Sequence, residues 1–142
     1  MSGAKEYLMK IRWYDVLIDS KLEELERLNA MVRRITPVMS DAGGASGGNA
    51  DRLGETVAKI VDLREEINRD IDEFVNLKRE ARRLMRKLEN TDHFKVLHKR
   101  YFQGKSIKQI ASEMGYSYGG MKKFHSAALQ AFEKVLEENR RK

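Results

Sequence analysis

Apolar residues recur over the first 35 positions in alternating steps of three and four. Leu8, Ile11, Ile18, Leu22, Leu25 and Val32 carry the pattern, with Asp15 and Asn29 as polar members of the same line. This spacing keeps one face of an α-helix apolar and predicts a helix over 4–35 with a heptad seam of about four repeats. Polar seam residues weaken such a helix pair but set its register and its choice of partner. The pattern stops at Thr36–Asp51, "TPVMSDAGGASGGNAD", where a proline, four glycines and small polar residues predict a flexible loop centred on 37–51. A glycine-rich phosphate cradle would end in Gly-Lys-Ser/Thr, and that ending is missing.

A second long helix is predicted over 52–89. Leu53, Ile60, Ile67, Phe74, Ala81 and Leu88 recur every seven residues. Val57, Ile71, Leu77, Leu84 and Met85 widen the apolar stripe, as expected of a helix buried against more than one neighbour. Two long amphipathic helices joined by a loop suggest an antiparallel hairpin. Seams left exposed on it would favour self-association, so a homo-oligomer, a dimer through these helices, is expected. The same helix repeats basic pairs every four residues: Lys78/Arg79, Arg82/Arg83 and Arg86/Lys87. As a solvated face, this run would pair with acidic residues of the first helix, Glu23, Glu24 and Glu26. The alternative is a stripe that contacts phosphates.

Beyond residue 90 the pattern shortens and gains punctuation. A helix over 92–102 would bury Phe94, Leu97 and Tyr101, with Gly104 at its C-terminal cap in the left-handed conformation. Ser106 and Gln109 form an S-x-x-Q capping box that opens a second, short helix with Ile107, Ile110, Ala111 and Met114 inward. Gly115 ends that helix. Ser117 caps a third, which buries Met121, Phe124, Ala128, Leu129 and Phe132. A short helix, a glycine turn and a longer basic helix form a helix-turn-helix signature. Lys122 and Lys123 lie off the apolar face, near the end of the third helix that would enter a major groove. Gly119 and Gly120 fall in the first turn of that helix, where glycine costs less than in a helix interior because the turn is half formed.

The fold class expected is therefore all-α. A helical hairpin over 1–90 precedes a helix-turn-helix domain over 91–142.

Composition sharpens this picture in two ways. Charged residues make up 35% of the 142 and apolar residues 41%, with one proline and no cysteine. Long solvated helices fit that balance, and neither a disulfide framework nor a thiolate metal site can form. The charge is also uneven. Residues 91–142 hold eleven Lys/Arg against five Asp/Glu, so the entire net charge of +6 lies there and residues 1–90 balance. A basic domain beside a neutral one points to a polyanion, nucleic acid first. The first residues, "MSGAKEYLMKIRWYD", lack a signal-peptide pattern, and no apolar run is long enough to span a membrane. A soluble protein in the cytoplasm is expected.

No enzyme chemistry is expected. His93, His98 and His125 are the only imidazoles; His93 and His98 are spaced poorly for one helix face, and no H-E-x-x-H pattern is present. No nucleophile motif or phosphate loop accompanies the carboxylates, which sit in salt-bridge spacing. Neither catalytic residues, a metal nor a cofactor are expected.

The segment "VLHKRYFQGKSIKQIASEMGYSYGGMKKFHSAALQAF" resembles region 4 of bacterial sigma factors, the part that reads the promoter −35 element. The shared features are Leu97-x-x-Arg100-Tyr101, Gln109-Ile110-Ala111, Gly115, Ser117 and Ala128-Leu129. They cover about the last 50 residues. The chain more widely resembles small phage and prophage proteins of Gram-positive bacteria, and transcription regulators of the ArpU and RinA type look related. The resemblance implies that Arg100 and Ser106 touch DNA phosphates and that Tyr118, Gly119, Lys122 and Lys123 form the base-reading face. Lys105, Lys108 and Ser117 join the phosphate contacts. Sigma factors carry Arg-Glu where this chain has Tyr118-Gly119, and Arg-Gln where it has Lys122-Lys123. A site other than the −35 element is therefore expected. No counterpart of the −10-binding and melting part is visible, so the chain would not start transcription alone. Double-stranded DNA is the expected partner, in the cytoplasm of a bacterial host, with host RNA polymerase as a second. Two further readings stay open: a module that docks on polymerase or a sigma factor without reading DNA, and a DNA-packaging component like a small terminase subunit.

Overall fold

The computed structural model describes residues 3–41 and 47–142, and its regular elements are all helices. Helix α1 runs Gly3–Asp41 and α2 runs Gly47–Met85. Helix α3, Thr91–Leu97, continues into one π-helical turn, His98–Phe102; α4 spans Ile107–Met114 and α5 spans Tyr118–Arg141. The all-α fold expected from the periodicity is observed.

The glycine-rich loop is shorter than expected. Of Thr36–Asp51, residues 36–41 belong to α1 and 47–51 to α2, while 42–46 lie outside the described residues. Pro37 sits inside α1. A proline there forfeits one backbone bond, that to the carbonyl four residues back, and the adjacent Thr36 hydroxyl donates to the Val32 carbonyl at 2.8 Å. Extending an existing helix by a turn costs far less than starting one, so breakers near a helix end are tolerated.

The chain packs as two compact units whose boundary falls inside both long helices. One joins the chain up to Tyr14 with Phe74–Lys142, and the other is Asp15–Glu73. The boundary expected at residue 90 is therefore displaced. The reason lies in the core of the first unit: Ala4, Leu8 and Ile11 of α1 and Ala81, Leu84 and Met85 of α2 bury themselves with Val96, Leu97, Tyr101, Ile110, Met121 and Phe132. Burying one such large apolar side chain contributes roughly 1.5–3 kcal/mol, so both helix ends are integral to this core. Tyr14 stacks on Phe74 with ring centroids 6.3 Å apart, and Tyr7 lies beside Glu80 and Arg83, so α1 and α2 run antiparallel here. Tyr7 also meets Phe132 of α5 edge-on at 5.9 Å. Its buried hydroxyl finds no hydrogen-bond partner among the described residues, and burial pushes its pKa up to about 12. Glu133 of α5 accepts the Ala4 amide at 2.6 Å, satisfying a first-turn N–H of α1.

In the second unit the α1 seam departs from expectation. Leu25 and Val32 are half-buried as predicted, but Leu28 and Ile35 are buried, while Leu22 is 45% exposed. Lys21 is half-buried in place of Leu22, its ammonium 2.6 Å from Asp70 and 3.3 Å from Glu66 of α2. The alternation of threes and fours takes one extra three at Ile18–Lys21, a phase slip of the kind that locally overwinds a coiled coil. Lys21 thus enters the seam as a polar member held in a cross-helix ion pair. On α2, Ile60 and Ile67 are buried as predicted, but Val57 and Ile71 are exposed. The wide stripe is used only where α2 has several neighbours.

The basic run on α2 does not pair as expected either. Glu24 and Glu26 engage Arg27 and Arg33 of their own helix. Arg83 takes Glu80 at 2.6 Å, Lys78 lies over the Phe74 ring at 4.2 Å, and Arg82 lies over the Phe102 ring at 5.2 Å. Arg27, Lys78 and Arg83 thus take partners three or four residues away on their own helix, where side chains are neighbours, while Arg33 reaches seven residues back and Arg82 reaches another element.

Candidate nucleic-acid interface

Local backbone chemistry builds the C-terminal module. Asn90 caps α3, its side chain accepting the Asp92 amide at 2.8 Å. The helix then widens: Gln103 N–H bonds the His98 carbonyl at 3.1 Å, five residues back. This π turn, unforeseen in the periodicity, ends at Gly104, which holds φ +71° as its predicted cap role requires. Ser106 caps α4, its hydroxyl accepting the Gln109 amide at 3.1 Å. Gly115, at φ 75°, closes α4 in the left-handed conformation, and the Tyr116 amide returns to the Ala111 carbonyl at 2.8 Å, as in a Schellman cap. Ser117 caps α5, accepting the Gly120 amide at 3.0 Å. Helices α3 and α4 both pack on α5, and Ala111 of α4 is buried in the core they share.

The expected site residues fall into two adjoining groups and one outlier. Arg100, Ser106, Lys108 and Tyr118 line one open cleft of about 450 Å³, with Ile107 as its apolar wall. Arg100 donates to the Lys105 carbonyl at 3.0 Å, which holds its guanidinium at the mouth of α4. The Ser106 hydroxyl accepts from the cap and still has its own proton to donate. Gly119, Lys122 and Lys123 line a second, shallower groove of about 530 Å³ with Ser126, Ala127 and Gln130. Lys122 lies over the Tyr118 ring at 4.9 Å, so that cation links the two grooves. Ser117, the residue before Tyr118, serves as the cap of α5.

Lys105 is the outlier. Its ammonium lies 2.9 Å from Glu113, and Lys99 approaches the same carboxylate oxygen at 2.7 Å. Hydrogen bonds from Lys99 and then Lys105 hold the Glu113 carboxyl down at about 2. Lys105 therefore serves a three-membered charge cluster with one net positive charge rather than the cleft.

Gly119 and Gly120 differ. A Cβ at Gly119 would meet nothing within 4 Å, whereas one at Gly120 would stand 2.9 Å from the Ser117 hydroxyl. A Cβ at Gly120 would thus crowd only the rotatable Ser117 hydroxyl, and Gly119 leaves the groove floor bare.

The three histidines are separated by aromatic packing. His93 lies against Phe124, His98 between Phe94 and Phe102, and His125 against Tyr101, whose hydroxyl shares a 2.9 Å hydrogen bond with Nε2. Burial, then the charges of Arg100 and Lys5, lower His125 to about 4, which keeps it neutral at pH 7.

Ser126 and Gln130 were not singled out from the sequence, although they continue the Lys122/Lys123 face at helical spacing. Lys99 gave no such signal, because its partner Glu113 lies on another helix.

Residues 35–133 match the model of a family described as "Protein of unknown function (DUF1492)". No curated protein and no solved structure matches the chain.

Proposed function

The chain belongs to the DUF1492 family, and from the site's geometry and the resemblance of its last third to sigma region 4 we propose that it is a phage- or prophage-encoded transcription regulator that binds duplex DNA through α4 and α5. The observation that carries this reading is convergence: Arg100, Ser106, Lys108 and Tyr118 meet around one cleft, and Lys122 and Lys123 line the groove next to it. Phosphate contacts fall to Arg100, Ser106, Lys108 and the first-turn amides of α5 behind the Ser117 cap, where the helix dipole favours an anion. Base edges fall to Tyr118, Lys122 and Lys123, with Gly119 admitting close approach. Lysine reads guanine less selectively than a bidentate arginine, so each copy carries modest specificity. A second copy multiplies it. The protein acts in the host cytoplasm as a binding module rather than an enzyme; among the described residues no helix is long and apolar enough to cross a membrane.

The test is selection of bound sites from random duplex DNA, followed by titration at several salt concentrations. With about five phosphates neutralised per copy, log affinity falls against log salt with a slope near −4 to −5. Lys122→Glu/Lys123→Glu abolishes enrichment. A flat salt response, or enrichment unchanged in that variant, would overturn the reading. Polymerase captured by the variant that no longer binds DNA would mark a separate docking function.

A further inference from the structure

The geometry points to a second phosphate-contacting surface beside the α4–α5 reader, formed by Arg12 of α1 and Arg82 of α2 where they close on the turn between α3 and α4. This inference rests on the DNA-binding reading above and extends it to the two long helices. Gly104 is the centre of the surface. A Cβ there would lie 2.8 Å from the guanidinium carbon and both terminal nitrogens of Arg12, so that guanidinium lies flat against the Gly104 backbone. Two residues earlier, the Phe102 ring carries the Arg82 guanidinium at 5.2 Å. Lys99 and Lys105 stand on the same turn, bridged by Glu113. Cations from α1, α2 and the turn itself therefore gather over Lys99–Lys105. The ring of His98, half-buried among them, registers their field: partial burial, then the charges of Arg82, Lys99 and Lys105, lower its pKa below the ordinary value.

Stacking engages the faces of a guanidinium, while its five N–H donors spread around the edge of one plane. That edge can serve a neighbour within the protein and a phosphate oxygen together, and its fork matches a phosphate in two-pronged geometry. The position along the chain matches too. Gly104 lies two residues before Ser106, so a backbone phosphate held at Ser106 is within about 7 Å of chain from the seat of Arg12. The strand that passes the Arg100/Ser106 cleft would continue over Gly104 and Phe102. Phosphate contacts at this turn add affinity and register without sequence information.

The experiment uses the full chain and a random-sequence duplex titrated across salt, with Arg12→Gln/Arg82→Gln compared against Arg12→Lys/Arg82→Lys. The glutamine pair makes the salt slope shallower by about two and weakens binding on the order of tenfold on every duplex, while the sites enriched from random DNA stay the same. The lysine pair keeps the parent slope. A parent slope in the glutamine pair would overturn the surface while leaving the reader intact. Equal losses in both pairs would also overturn it, because the arginines would then serve only as packing for the turn. A parent chain that shows no salt dependence would bring down the DNA reading and this surface together.

Discussion

Gly119 and Gly120 are neighbours of the same type with different physical roles. The Gly120 amide donates to the Ser117 hydroxyl, and a Cβ at Gly120 would crowd that oxygen. Losing such a cap costs about 1 kcal/mol. At Gly119 the space is open, and alanine gains a few tenths of a kcal/mol in helix propensity in a half-formed turn. Gly120→Ala is thus expected to be less stable than Gly119→Ala in urea denaturation with equal m-values, by at most about the 1 kcal/mol of the cap, as the Ser117 hydroxyl turns aside. Equal midpoints would refute the crowding at Gly120. That both glycines lie in the first turn follows from the sequence, since Ser117 announces the cap. Which of them crowds the cap depends on where the serine oxygen points.

At the scale of elements, the π turn and α5 are joined by Tyr101 and His125. His125 is held near 4 in the folded chain, against about 6.5 when unfolded. Between those values the unfolded chain binds the extra proton, so stability rises with pH across this window. The contribution is complete above about pH 6.5 and is lost as pH falls toward 4. The expected loss is on the order of 2 kcal/mol, discounted from about 1.4 kcal/mol per unit for the partial exposure of the ring. Thermal melts between about pH 4 and 7 would measure it, and His125→Gln should flatten the profile across that range. The Glu113 cluster contributes separately and at lower pH: its stabilisation is complete above the ordinary carboxylate value and is lost as pH falls from there toward its folded pKa of about 2. An unchanged profile in His125→Gln would place the pH dependence elsewhere. The π turn was not visible in the spacing of Leu97 and Tyr101, because a single added residue leaves both on a buried face. The caps around it were visible, since each depends on residues within three positions.

At the scale of the whole molecule, the self-association expected of the long helices now has named residues. Within Asp15–Glu73, Val16, Leu22, Val57, Val61 and Ile71 remain exposed beside the buried seam. On α2 the spacing of Val57, Val61 and Ile71 places them on one stripe, with Arg64 and Asn68 as its polar members. A parent chain that sediments as a dimer at micromolar concentration, and a Val57→Asp/Val61→Asp variant that sediments as a monomer with unchanged helicity, are the expected outcomes. A large ring would instead favour the packaging reading. A parent monomer at every concentration would remove the dimer from the proposal.

The sequence by itself determined the helical class, the seven-residue seam of α2, and the caps at Gly104, Ser106, Gly115 and Ser117. Helix periodicity and capping act over three to seven residues, so local spacing carries them. Tertiary structure alone decided where the α1 seam slips to admit Lys21, which carboxylate takes Lys105, and that Arg12 and Arg82 meet the turn at Gly104. Those outcomes depend on partners far apart in the chain, chosen by which faces bury apolar area together and by which charges can stay solvated or paired once that area is gone. For the same reason the core joins the two ends of the hairpin to the C-terminal helices, a division that charge and periodicity along the chain do not mark.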